Sequence, residues 1–160
     1  MEHDVTRELA ARLIAEERDL LERFEHLLDR EAAALRTDDV AAIEGAGADR
    51  QACSSALLRV DEERRQACRM LGYGDDRDAF ERLLAACDPA GELARVWQSS
   101  HDVLLRCRHA NDRNGAIVTA KLRRVEELLA MLRGGNAGAQ IYQAGGQARP
   151  AARSVSLGLA

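Results

Sequence analysis

Ile14, Leu21, Leu28 and Leu35 stand seven residues apart, with Leu13, Leu20, Leu27 and Ala34 repeating beside them and Phe24 in the seam between. Seven residues are nearly two helical turns, so a repeat of this length keeps one apolar stripe facing a partner helix with a left-handed supercoil. Charged residues crowd the opposite face, as in Glu16-Glu17-Arg18 and Asp29-Arg30-Glu31. The spacing predicts a first helix from about Asp4 to Arg36. At about 1.5 Å per residue it is roughly 50 Å long, which suits an elongated bundle better than a compact globule.

The rest of the chain can follow the same pattern. Aromatic residues are 3% of the sequence and the two prolines stand at 89 and 150, so long stretches lack the strongest helix breaker. Thr37-Asp38-Asp39 supplies side-chain oxygens suited to capping a second helix, which runs to about Leu71 through Val40, Ile43, Leu57, Val60 and Ala67. Gly45 and Gly47 mark either a close helix contact or a loose region in it. Gly72 suits a left-handed C-cap, and Asp75-Asp76 suits the start of a short helix carrying Phe80, Leu83 and Leu84. Asp88-Pro89 reads as an N-cap acid followed by proline at the first position of a long helix ending at Arg133. Its apolar residues include Leu93, Val96, Trp97, Leu104, Cys107, Val118, Val125, Leu128 and Leu132.

The expected fold is all-α: an elongated antiparallel helical bundle or coiled coil of three long helices plus one short helix over residues 1–133. Residues 134–160 contain six glycines, Arg149 and Arg153 but no acid, and read as a flexible tail. Its Ile141, Tyr142, Val155, Leu157 and Leu159 are an odd choice for a mere linker. Val155, Leu157 and Leu159 alternate with a strand-like period.

Several function classes lack support. A net charge of −4 argues against nucleic acid as the main partner. Cys53, Cys68, Cys87 and Cys107 form no C-x-x-C pair, so neither a zinc site nor a redox motif is indicated, and they read as reduced core residues. None of His26, His101 and His109 follows a glutamate by three residues, as a di-iron bundle requires, and Glu22 with His26 is a lone pair on a charged face. No phosphate loop, nucleophile elbow or zinc-protease pattern is present, so we expect no catalytic residue, metal or cofactor. The N-terminus lacks the basic and apolar regions of a signal peptide, and no apolar run approaches a membrane span. A cytoplasmic protein without membrane insertion is expected.

The segment Asn111-Asp112-Arg113-Asn114-Gly115-Ala116-Ile117-Val118 carries the most information. Continuing the stripe of the long helix from Leu104 gives Cys107, Asn111, Asn114 and Val118, which places two asparagines on a face that should be apolar. Buried asparagine stabilises less than leucine but can fix helix register. Gly115 beside them suits a close backbone approach. Asn111-x-x-Asn114-Gly115-x-Ile117-Val118 resembles the N-x-x-N-G-x-[LI]-[LIV] signature of FlgN-type chaperones. The leucine-rich first helix, the acidic 37–39 junction, Trp97 and Ile141-Tyr142-Gln143-Ala144-Gly145-Gly146 agree with that family in order and spacing, from about residue 9 to 147.

The resemblance implies a cytosolic flagellar type III secretion chaperone. It would bind the apolar C-terminal helical region of hook-associated (hook–filament junction) proteins, keep them soluble and deliver them to the flagellar export apparatus. Carried onto this sequence, client binding falls on Leu122, Val125, Leu129 and Leu132 and on the tail residues Ile141, Tyr142, Val155, Leu157 and Leu159. Gly145-Gly146 and Pro150 would interrupt a continuous helix there. The alternative reading is a self-associating coiled-coil scaffold or adaptor working through the Leu13–Leu35 stripe. Such heptads also allow a homodimer.

Overall fold

The computed structural model describes residues 2–135, with side chains over 3–133. The described chain forms four α-helices and no strand: α1 Glu2–Thr37, α2 Val40–Met70, α3 Ala79–Cys87 and α4 Glu92–Gly135. The chain is all-α, as its composition and periodicity imply. It divides into a compact unit Met1–Leu122 and a second unit beginning at Arg123.

In the first unit the heptad residues Leu13, Ile14, Leu21, Leu27, Leu28 and Leu35 are all buried. They are covered by helices of opposite direction. α2 runs antiparallel to α1, so Arg59 reaches back to Glu16 and Arg30 meets Asp49 at 3.1 Å. α4 runs parallel to α1. Cys107 Sγ donates to the Leu21 carbonyl at 3.5 Å and Asn114 Nδ2 to the Leu28 carbonyl at 2.8 Å, each pair 86 residues apart. Two such contacts seven residues apart hold the helices in a heptad register. One core cluster joins Leu21, Leu28, Val103, Cys107 and Ala110, with Phe24, Leu57 and Leu104 packed against it. A second gathers Ala10, Ile14, Cys68, Phe80, Leu83, Leu84, Cys87 and Trp97 where α3 docks.

A cation caps that second cluster. Phe80 and Trp97 meet edge to face with ring centroids 4.9 Å apart, and the Arg64 guanidinium lies 4.5 Å from the Trp97 ring centre and 5.5 Å from that of Phe80. Glu17 at 2.8 Å and Asp61 hold it there. The long arginine covers apolar rings while its charge stays paired at the surface.

The junctions follow local chemistry, with two departures from the sequence reading. Asp39 is the N-cap of α2, accepting from Ala42 N at 3.0 Å, and Asp38 takes a left-handed φ of 54° to turn the chain. Gly72, at φ 80°, closes α2 in a Schellman motif: Tyr73 N donates to Cys68 O and Gly72 N to Arg69 O. The short helix does not start at Asp75-Asp76. The Asp76 carboxylate is engaged by Asp78 N and Arg82, and α3 begins at Ala79. Pro89 is not the first residue of α4 either. Asp88-Pro89-Ala90-Gly91 is a turn closed by Gly91 N to Asp88 O, with Gly91 at φ 68°. The buried Asp88 carboxylate still caps the helix, from further back, accepting from Leu93 N at 2.7 Å.

Close backbone approach does not explain the mid-helix glycines. A Cβ added at Gly45, Gly47 or Gly115 would meet nothing within 4 Å, and α2 is continuous through the glycine-rich stretch.

Candidate functional site

The buried face of α4 follows Val103, Cys107, Ala110 and Asn114, not the 104–107–111 stripe expected from the sequence. Both sets obey three-four spacing, and the position of α1 selects between them. Asn114, 3% exposed, sits on that face, whereas Asn111 lies outside it. The expectation of two asparagines in the core is therefore corrected to one.

Asn114 works as a clamp. Its Nδ2 donates to the Leu28 carbonyl at 2.8 Å and to the Glu31 carboxylate at 2.9 Å. Glu31, 8% exposed, faces Arg50 of α2 at 3.6 Å, and Arg50 donates to Asn111 Oδ1 at 3.0 Å. The four side chains form one polar layer tying α1, α2 and α4 together. Sequence reasoning missed the Glu31–Arg50 half of it. A usable signal existed, since Glu31 lies three residues after Leu28 on the apolar side of the repeat.

Past this layer α4 changes character. Ile117 is half-buried and Val118 exposed, and Lys121 pairs with Asp38 at the α1–α2 turn. Leu122, Val125, Leu129 and Leu132 are 60%, 52%, 43% and 71% exposed, with Leu128 and Met131 also open to solvent. Successive steps of three and four place them along one side of the helix. In the second unit, taken by itself, Arg123 and Glu127 pair at 3.2 Å, one turn apart on another side of the helix. Exposed leucines and valines at this density are unusual for a face with no partner. The tail residues Ile141, Tyr142, Val155, Leu157 and Leu159 lie outside the described residues.

Other features offer less chemistry. A cleft of about 340 Å³ beside Arg64 is lined by Trp97, His101, Phe80 and Asp61, but its charges are largely paired with one another. All four cysteines are buried and free. Burial pushes their thiols up, that of Cys107 to about 11, so they stay protonated at neutral pH. Among the described residues, no group of three or more His, Cys, Asp or Glu side chains could hold a metal, and no helix is long and apolar enough to cross a membrane.

No curated protein and no solved structure matches the chain. A family model does, that of the FlgN proteins, over residues 6–150. The match covers nearly the whole chain, from α1 through the polar layer and the exposed end of α4, and the chain belongs to the FlgN family of flagellar export chaperones.

Proposed function

We propose that this chaperone binds the C-terminal helical region of hook-associated (hook–filament junction) proteins in the cytoplasm, keeps it soluble and delivers it to the export apparatus. The observation that carries the reading is the apolar face of α4 at Leu122, Val125, Leu129 and Leu132, exposed in a chain of this family. An amphipathic client helix recognises such a surface through apolar residues at three-four spacing. The signature residues Asn111, Asn114, Gly115, Ile117 and Val118 act at one remove, Asn114 by fixing the register of α4. The chain works by binding, without catalysis. Residues 134–160 add contacts through Ile141, Tyr142, Val155, Leu157 and Leu159, as a tail attached to the helical domain 1–133.

Self-association as a scaffold is the weaker reading. It would use the Leu13–Leu35 stripe, and the heptad leucines there are buried within the chain. A homodimer would have to form through another surface.

The test is co-purification of the full chain with the C-terminal segment of a hook–filament junction protein, alongside Val125→Asp and a chain ending at residue 133. A stable complex lost in Val125→Asp, with helix content unchanged by circular dichroism, supports the reading. A complex that survives Val125→Asp puts the client elsewhere. No complex with the unaltered chain overturns the assignment.

A further inference from the structure

Residues 104–114 of α4 pack on the middle of α1, and the sequence of residues 122–132 restates part of their pattern. Eighteen residues are five full helical turns, so residues 18 apart in the sequence have the same helical phase. Leu104 maps onto Leu122, Arg106 onto Arg124, Cys107 onto Val125, Ala110 onto Leu128 and Asn114 onto Leu132. In the first copy Leu21 and Leu28 of α1 pack against Cys107, and Glu25 takes Arg106 through two bonds of 2.7 and 3.1 Å. In the second copy Val125 and Leu128 are larger than Cys107 and Ala110, Leu122 repeats Leu104, all three are exposed, and among the described residues no acid pairs with Arg124.

We propose that the second copy is read by a partner helix of the α1 type, lying parallel to α4. It carries apolar side chains at positions i, i+3 and i+7, as Leu21, Phe24 and Leu28 do, and a carboxylate at i+4 that pairs with Arg124 as Glu25 pairs with Arg106. Arg124 is then the specificity-determining residue of the face, selecting acidic amphipathic helices over basic ones. This deepens the chaperone reading of the same surface, and its assignment to an export client rests on that reading.

The probe is a synthetic peptide of residues 14–35 of this chain, added to the full-length protein and followed by fluorescence anisotropy. Binding should be lost in Val125→Asp. It should weaken about two- to five-fold when Arg124→Glu or the peptide's Glu25→Arg is introduced alone, the range of an exposed ion pair, and recover when both are present. Equal affinities across the four combinations overturn the proposal. So does absence of binding, or binding indifferent to Val125→Asp, which would mean exchange with the chain's own α1. Tighter binding after removal of residues 136–160 would give the face to that segment, and a dimer abolished by Val125→Asp would give it to a second copy. Either result also overturns it. A peptide that obeys the charge swap while the hook–filament junction segment fails to bind sinks the client assignment and leaves the helix rule standing. A client that binds without regard to Arg124 does the reverse.

Discussion

Removing Asn114 should reveal how much of the bundle's stability runs through one polar layer. In Asn114→Ala two hydrogen bonds vanish, one to the Glu31 carboxylate and one to the Leu28 carbonyl. A bond to a charged group is worth about 1.5–3 kcal/mol and a neutral one about 0.5–1.5 kcal/mol. Glu31 keeps Arg50 at 3.6 Å, and Leu28 O keeps its bond within α1, so neither acceptor is orphaned and the lower halves of those ranges apply. The expected cost is about 2–3 kcal/mol. With an unfolding entropy near 2.1 cal/mol/K per residue over ~130 residues, that lowers Tm by about 7–11 °C. Urea unfolding followed by far-ultraviolet circular dichroism measures it directly. Replacing both partners, Asn114→Leu with Glu31→Leu, should cost less than the sum of the two single changes, because an apolar pair removes the burial penalty along with the bonds. A loss below about 0.5 kcal/mol in Asn114→Ala would refute the clamp, as would strict additivity in the double variant.

Gly115→Ala should stabilise the chain by about 0.5–1 kcal/mol, because its Cβ meets nothing within 4 Å and alanine suits an exposed helix; a destabilised variant in the same urea assay would mean an unseen close approach. Leu28→Ala, at a fully buried side chain, should cost about 2–5 kcal/mol, whereas Leu132→Ala should stay within about 0.5 kcal/mol, and similar losses for both would contradict the burial pattern. Asp39→Ala removes the α2 cap and should cost about 1 kcal/mol, readable as a lower urea midpoint. The Arg106 guanidinium holds the Glu25 carboxyl below its ordinary value of 4.5, so this group adds stability that is fully present above pH 4.5 and lost as pH falls through the lowered value. The stability gap between the native chain and Glu25→Gln should therefore be flat from pH 7 to pH 5 and shrink in more acidic buffer; a gap that widened on acidification would have the wrong sign.

Much of this architecture was legible in the order of the residues. Ile14, Leu21, Leu28 and Leu35 are buried because a seven-residue repeat leaves a helix no other way to hide them. Gly72 closes α2 because the left-handed corner favours a residue without Cβ. What escaped depended on neighbours. The choice between Ala110 and Asn111 as the buried position is a rotation of one residue, and only the placement of α1 decides it. Asp88 caps α4 across a turn that dipeptide statistics read as a helix start. Gly115 looked like a point of close approach because glycine in a helix asks for a reason, and the structure supplies none. At the candidate site the apolar spacing of Leu122 to Leu132 was readable, but nothing in the sequence says whether such a stripe is covered. The equivalence of Arg124 with Arg106 needed the partner of Arg106 to be seen first.

The length of α4 has a consequence for how the molecule breathes. Amides near Val103 and Cys107 are locked by packing on α1 and should exchange with deuterium only when the whole bundle opens. Those from Arg123 onward belong to about three turns of helix whose side chains are exposed, too short to be stable on propensity alone. α4 thus carries a slow-exchanging longer part and a fast-exchanging shorter end. A partner laid along that end would register first as protection appearing there, before any change in the unfolding of the rest.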